Sequence, residues 1–224
     1  MAEKTEITME EARALVAGAA LWPRIRDFLW DFAPQIHRSW IEGLGILESL
    51  CGKPRVKRHI LSSLGVEPCF HTFPKDDWSR LLLLDGDTLA SIAKWLGALV
   101  CAEDLRRVTD GKTVRELKAG LSGVYPEVFM YTAYFKEWKS GKVEEWKSGK
   151  VEEGKMSDVV VGMGCEMLLS VVSVLPDSLV RRLALKLPKG LCATTPSNLK
   201  PETCGKALAK LLKLKFPEAY SLCC

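Results

Sequence analysis

The sequence has few of the residues from which enzymes build active sites. It contains only 3 histidines in 224 residues, so acid–base catalysis would have to rest on carboxylates that no motif singles out. No phosphate loop of the form G-x-x-x-x-G-K-[ST] occurs, and no C-x-x-C pair. Serine, histidine and aspartate do not stand in the contexts of known hydrolase motifs. The sequence therefore predicts a protein that is not an enzyme and needs no cofactor.

A strong charge imbalance is also missing. Lys and Arg total 32 against 28 for Asp and Glu, a net charge of +4, which is small for a dedicated nucleic-acid binder. The first residues, Met-Ala-Glu-Lys-Thr-Glu, are charged and contain no apolar signal region. Most of the 8 cysteines stand alone, which is typical of free thiols in a reducing compartment. We expect a cytoplasmic protein that does not bind nucleic acid.

Apolar residues recur at helical spacing, and no stretch alternates convincingly in the manner of a strand. The clearest pattern lies within Asp77–Arg107, where one stripe should face the core and Asp87 or Thr88 should cap the helix. This stripe consists of Leu89, Ile92, Ala93, Leu96, Leu99 and Val100. A capping box at Thr8 predicts a helix over Met9–Ala20. The chain is predicted to be all-α, a compact bundle of about ten short helices in one domain spanning 1–224.

Two segments near the C-terminus have basic helical patterns. A helix over 201–216 should bury Leu208, Leu211 and Leu212 and expose Lys206, Lys210 and Lys213. A helix beginning near Ser178 should bury leucines, with Arg181, Arg182 and Lys186 directed outward. Before these two helices in the chain, Glu137–Glu144 is repeated identically as Glu145–Glu152. We expect an exposed insertion near 137–153, because duplications are tolerated at the surface.

The tryptophans divide into two groups. Trp138 and Trp146 belong to the repeat and should be partly uncovered. The other five fit the core faces of helices: Trp22, Trp30, Trp40, Trp78 and Trp95.

The longest apolar run, Val159–Leu175, falls short of the roughly 20 residues that a membrane span needs. It contains Glu166 and ends at a proline, so a buried core helix is predicted instead. Gly162 and Gly164 lie inside it, without the third glycine of a dinucleotide loop. Close packing between helices explains these glycines better than cofactor binding does.

Two further patterns suggest chemistry only weakly. Cys51, His59, Cys69 and His71 are possible zinc ligands, but their spacing is that of no familiar zinc site. The terminal Cys223-Cys224 resembles a prenylation signal, which anchors a protein only together with a second signal. We expect no bound metal and no lipid.

Basic clusters are the remaining candidates for function. They occur at Arg106-Arg107, at Arg181-Arg182 and at Arg55-Val-Lys-Arg58. Each is either a solvated helix face or a docking face for an acidic partner, since arginine grips carboxylates with a fork of donors. Aromatic residues do not interleave with them, which argues against nucleic acid. The candidate partner contacts are Arg106, Arg107, Arg181, Arg182, Trp138 and Trp146.

Three blocks of the sequence resemble the SctK family (the YscK-like proteins) of bacterial type III secretion systems. The first is His37-Arg-Ser-Trp-Ile41, after an early proline. The second runs from Leu81-Leu-Leu-Leu84 to the stretch Leu96–Arg107, and the third is Arg181-Arg-Leu-Ala-Leu-Lys-Leu-Pro188. Their order and approximate spacing match that family over residues 22–190. The tandem tryptophan repeat and the cysteine-ended tail depart from its pattern.

The resemblance implies a non-enzymatic adaptor in the sorting platform of the injectisome, on the cytoplasmic face of the bacterial inner membrane. Such a protein links the cytoplasmic domain of the ring protein SctD to the SctQ pods. Through SctQ it connects indirectly to SctL and the ATPase SctN. It would be peripheral to the membrane and have no transmembrane span of its own.

Two other functions stay open. A helical enzyme or small-ligand protein would need a pocket between helices, lined by carboxylates such as Glu103, Asp104 or Glu166. A membrane-surface protein would use the basic helix with Lys206–Lys215.

Overall fold

The computed structural model describes residues 21–45, 51–66, 73, 78–135, 156–191 and 200–223. Within these ranges the chain forms ten α-helices and five short 3-10 helices, and no β-strand. The predicted all-α fold is therefore confirmed. The helix predicted over Met9–Ala20 and the tandem repeat lie outside the described residues.

The α-helices are numbered in chain order. They are α1 (residues 21–30), α2 (Arg38–Glu42), α3 (Pro54–Ser63), α4 (Gly86–Val100), α5 (Ala102–Arg107), α6 (Gly111–Gly120), α7 (Met156–Val171), α8 (Asp177–Lys186), α9 (Pro201–Lys215) and α10 (Pro217–Cys223). The 3-10 helices are Ala33–Gln35, Ser79–Leu83, Glu127–Met130, Thr132–Phe135 and Val172–Val174.

Helix α4 begins at Gly86, and Asp85 before it is its N-cap. One oxygen of the Asp85 carboxylate accepts from the backbone N–H of Thr88 at 2.7 Å, and the other accepts from the Thr88 hydroxyl at 2.8 Å. These bonds satisfy a donor that the first turn leaves without a helical partner. The prediction that Asp87 or Thr88 caps this helix is wrong. The predicted inward stripe is confirmed, since its members from Leu89 to Leu99 are buried.

Helix α7 lies at the centre of the described fold and packs against α4, α6 and α9. Its contact with α4 is made by backbone. A Cβ atom placed on Gly97 of α4 would lie 1.8 Å from the carbonyl oxygen of Val160, and one placed on Gly164 of α7 would lie 1.8 Å from that of Ala93. A side chain at either position would keep the helices apart. The packing role predicted for Gly164 is confirmed. A Cβ atom placed on Gly162 would lie 3.4 Å from its nearest neighbour, the Leu191 carbonyl oxygen, which is an ordinary contact distance.

By length and composition alone, the segment Met156–Val174 could cross a membrane, with a mean hydropathy of 1.6 over its most apolar window. Of that window, 56% is buried inside the protein. The apolar side chains of α7, such as Val160, Cys165 and Leu168, face the surrounding helices. In this fold the segment is the core helix that the sequence predicts.

Helix α9 agrees with its prediction: its three inward leucines are buried, and Lys206, Lys210 and Lys213 are exposed. The short helix α10 that follows it was not predicted. The aromatic segment 128–135 forms two 3-10 turns.

The glycine contact can be tested by comparing two substitutions on α7. Gly164→Ala should lower the free energy of unfolding by about 3 kcal/mol or more, because the new methyl group meets the backbone of α4. Gly162→Ala is the matched control and should change it by less than about 1 kcal/mol, since alanine fits there and favours helix. Urea unfolding of both variants measures the difference. Equal stability of the two would contradict direct contact between the helix backbones.

Candidate functional site

Two segments that are distant from helix α8 in the sequence pack against it. Residues 37–41 lie against its C-terminal end, and the 3-10 helix Ser79–Leu83 packs along it. These are parts of the three blocks that carry the family resemblance. Their meeting point is therefore the first place to look for a functional site.

Arg182 lies at the centre of this meeting point and has 0% of its surface exposed. Its guanidinium donates to the carbonyl oxygens of Phe28 and Leu29 at the C-terminal end of α1. It also stands 5.3 and 4.8 Å from the ring centroids of Phe28 and Phe32. A cation is favourable at a helix C-terminus, where carbonyls lack partners. The outward placement predicted for Arg182 is wrong, and in this fold the side chain has no surface to offer a partner.

Lys186, one turn further along α8, is 1% exposed and was also predicted to point outward. Its ammonium donates to the carbonyl oxygens of Leu82 and Leu84 at 2.6 and 2.8 Å, and it lies 5.3 Å from the Phe28 ring centroid. Burial lowers the pKa of Lys186 to about 7; the Asp85 carboxylate opposes this shift and Arg182 adds to it. Lys186 therefore donates to carbonyls at the end of the 3-10 helix Ser79–Leu83, as Arg182 does at the end of α1.

The spacing of α8 contains the signal that predicts this burial. Leu179, Arg182, Leu183 and Lys186 follow one another at i, i+3, i+4 and i+7, so they share one helix face. Leu179 and Leu183 are buried, and the two cations must enter the core with them. The charge of Arg182 and Lys186 suggests an exposed position, but their position around the helix axis places them on the buried face.

The first block closes over the C-terminal end of α8. The backbone N–H of His37 donates to the Leu185 carbonyl at 2.8 Å, and the indole of Trp40 donates to the Leu187 carbonyl at 2.9 Å. Ser39 accepts from the backbone N–H of Lys189 at 3.0 Å. The blocks thus meet through carbonyls and cations that hold the fold together.

The arginine pair at the end of α5 divides its roles. Arg106 donates to the hydroxyl of Thr132 at 2.7 Å and to the Phe129 carbonyl at 3.3 Å, and its guanidinium lies 5.4 Å from the Phe129 ring centroid. Its neighbour Arg107 is 67% exposed and stands 3.8 Å from Asp104, an ion pair of little strength in water. Arg107 is thus the member of the pair that faces solvent.

Arg181 is exposed, unlike its neighbour Arg182. Its guanidinium lies beside Gly65, just after the end of α3, within 3.4 Å of where a Cβ would be. Among the predicted partner contacts, Arg107 and Arg181 are the described residues that offer open charge. Trp138 and Trp146 lie outside the described residues.

Two tryptophans predicted for the core are exposed. Trp22 and Trp30 on α1 are 52% and 50% exposed, with ring centroids 5.8 Å apart in an edge-to-face contact at 70°. Phe28 and Leu29 occupy the inward face of α1, so the tryptophans take the opposite side. The core prediction holds for Trp95, which is buried, while Trp40 and Trp78 are half-buried.

Two lysines of helix α9 bind groups of the same chain. Lys215 forms an ion pair with Glu127 and lies 4.6 and 4.4 Å from the ring centroids of Trp95 and Tyr131. Burial lowers the pKa of Lys215, but the Glu127 carboxylate and the Tyr131 hydroxyl outweigh it and raise the pKa above its ordinary value. Lys210 donates to the Tyr134 carbonyl. Fewer lysines of α9 are therefore available to a membrane surface than the sequence suggests.

An open groove of about 450 Å³ lies where α1, the start of α4 and α10 approach one another. Asp85 and Glu218 are the carboxylates in its lining, so the predicted set of Glu103, Asp104 and Glu166 does not line it. Burial raises the pKa of the Asp85 carboxyl, but its hydrogen bonds, chiefly those with Thr88, lower the pKa by more. The pKa of Asp85 therefore lies below its ordinary value. A carboxylate held charged as a helix cap is a poor proton donor near neutral pH.

No group of three or more His, Cys, Asp or Glu side chains within the described ranges is arranged to hold a metal ion. Cys51 and His59 belong to those ranges. Cys69 and His71, the other two proposed zinc ligands, lie outside them.

Comparison with known proteins identifies one family. The family model described as YOP proteins translocation protein K (YscK) matches residues 28–224. No curated protein and no solved structure matches the chain. The matched range includes all three blocks that meet at α8.

The adjacent arginines of α8 should respond very differently to truncation. Arg182→Ala should lower the free energy of unfolding by about 3 kcal/mol, because it leaves a cavity and buried carbonyls without their donor. Arg181→Ala, the matched control, should change it by less than about 1 kcal/mol, since exposed side chains contribute little. Thermal and urea unfolding check both. Similar losses in the two variants would contradict the buried placement of Arg182.

Lys186 should make stability depend on pH in a particular direction. Its folded pKa of about 7 lies below the ordinary 10.5, so between those values the unfolded chain holds a proton that the folded protein has lost. Stability due to this group therefore rises with pH above about 7 and is constant below it. The unfolding free energy of the wild type minus that of Lys186→Met should rise by about 1 kcal/mol per pH unit between pH 7.5 and 9.

The subtraction removes other titrations. Burial raises the pKa of the Cys101 thiol to about 12, with help from Asp104, and this contribution is the same in both proteins. Urea unfolding across the pH range gives the difference. A difference that stays flat with pH would show that Lys186 keeps its proton in the folded protein.

Proposed function

The chain belongs to the YscK family of type III secretion proteins, and on this basis we propose that it is a non-enzymatic cytoplasmic adaptor of the sorting platform. In this role it links the cytoplasmic domain of the ring protein SctD to the SctQ pods. It reaches SctL and the ATPase SctN indirectly, through SctQ. It works at the cytoplasmic face of the bacterial inner membrane, where SctD holds it.

The family match over residues 28–224 carries the proposal. The family consists of structural or accessory proteins of a secretion system, which favours binding over catalysis. The described groove agrees with this, since its carboxylate Asp85 serves as a helix cap. An adaptor needs a rigid body more than a reactive centre.

The exposed side chains support an adaptor with more than one docking surface. Trp22 and Trp30 form an aromatic pair on α1, and Arg107 ends α5 with its charge in solvent. Tryptophan and arginine are the residue types that most often dominate binding energy at protein interfaces. We assign Arg107 and Arg181 to partner contact, and Trp138 and Trp146 remain proposed contacts of the repeat. Arg106 contributes by positioning the segment that follows α6.

The proposal predicts two results that can be obtained with the wild-type protein. Purified protein should form stable complexes with the SctD cytoplasmic domain and with SctQ from the same genome, measured by size-exclusion chromatography and calorimetry. Deletion of its gene should stop type III secretion, and expression from a plasmid should restore it. A folded protein that binds neither partner, from a gene whose deletion leaves secretion intact, would refute the adaptor role.

A further inference from the structure

Helix α3 has a charge pattern that its own stability does not explain. It contains Arg55, Lys57 and Arg58 and no acidic residue. Its N-cap is Lys53, whose side chain makes no capping hydrogen bond. Positive charge near a helix N-terminus opposes the helix dipole, and a missing cap leaves donors without partners. Pro54 at the first position compensates in part, because it has no N–H to leave without a partner, but the positive charges of the helix remain.

The fold compensates only one of the three charges. Lys57 is partly buried and forms an ion pair with Asp31 at 2.8 Å. Arg55 and Arg58 are exposed and form no ion pair with the described residues. They are three positions apart, so they lie one above the other on the same side of the helix. This side of α3 presents two adjacent guanidinium groups to solvent.

Packing nevertheless holds α3 in a fixed position. Ile60 and Leu61 are buried in the core, and the helix packs against the 3-10 helix Ala33–Gln35. The two arginines therefore project from a fixed element. A fixed pair needs less ordering when it binds, which favours specific recognition.

The residues around the two arginines indicate what they bind. His59, Ser62 and Ser63 are the other exposed residues of the helix after Arg55, so this face offers no apolar side chain to a bilayer, as an interfacial helix does. It offers no Phe, Tyr or Trp ring on which a nucleic-acid base would stack, and His59 is its one ring. Arginine forks do match the geometry of carboxylates. A protein surface rich in Asp and Glu is the partner that fits this chemistry.

We propose that Arg55 and Arg58 on α3 form a docking face for a carboxylate-rich surface of a partner protein in the secretion machinery. The proposal rests on the adaptor function above and names one surface through which it acts. This places the acidic-partner surface on α3, because Arg182 is buried and the guanidinium of Arg106 is bound to the Thr132 hydroxyl and the Phe129 carbonyl.

The experiment compares two charge-reversal variants of the full chain. Arg55→Glu with Arg58→Glu should weaken binding to SctD or to SctQ by about tenfold or more, mainly through slower association. The dependence of the remaining binding on salt should also decrease. Lys206→Glu with Lys213→Glu is the control, because it makes the same change of charge on the exposed face of α9. It should leave binding within about twofold of the wild type.

A stability measurement separates lost docking from lost folding. Glutamate at position 55 lies in the first turn of α3 and suits the helix dipole, and position 58 is exposed, so the α3 variant should unfold at or above the wild-type temperature. Weaker binding together with unchanged or raised thermal stability supports the docking face.

Four outcomes would overturn the proposal. The α3 variant could bind both partners as the wild type does, while the adaptor function stands. Both reversal variants could weaken binding equally, which assigns the effect to overall charge. The α3 variant could lose binding to phosphatidylglycerol vesicles but keep its protein partners, which assigns the face to the membrane. If the wild type binds neither SctD nor SctQ, the adaptor function fails, and this proposal fails with it.

Discussion

The contact between the backbones of α4 and α7 is the constraint on which the rest of the described fold depends. Gly97 and Gly164 each face a carbonyl of the opposite helix at a distance that admits no Cβ atom. This brings the two most apolar helices as close as helices can pack, and dispersion and apolar burial are largest where atoms are densest. Helices α6 and α9 then cover the remaining sides of α7. Gly120 of α6 is also restricted, because a Cβ there would lie 2.4 Å from the Ser157 Cβ.

The buried cations of α8 connect a second group of elements to this centre. Arg182 and Lys186 bind carbonyls at the ends of α1 and of the 3-10 helix Ser79–Leu83. Carbonyls at helix ends need donors, and the Arg182 and Lys186 cations, which lie over the Phe28 ring, provide them. The leucine-arginine block of α8 therefore connects α1 and the 3-10 helix Ser79–Leu83 within the fold. Its exposed member, Arg181, is left for the surface.

The proposed adaptor function depends on exposed surfaces, so the decisive question is which charged side chains remain free to bind a partner after folding. Arg106, Lys210 and Lys215 are engaged with carbonyls, a hydroxyl or a carboxylate of the same chain. Arg55, Arg58 and Arg107 face solvent. Runs of basic letters in the sequence do not distinguish these two groups. The distinction arises because an arginine can reach a carbonyl only if another element brings that carbonyl to it.

Local physics was readable from the sequence alone. The helical period predicted the all-α fold, the inward leucines of α9 and the stripe of α4, since amphipathic spacing follows from 3.6 residues per turn. The family blocks predicted the class of protein. The spacing of α8 also contains the signal for the burial of Arg182 and Lys186, but only the tertiary structure supplied the carbonyls that bind them and decided where Trp22 and Trp30 lie. Each has an amphipathic side chain, with an apolar stem or ring beside a polar group. Such a side chain is stable inside when a partner satisfies its polar atoms and outside when none does, and the partners come from segments far away in the chain.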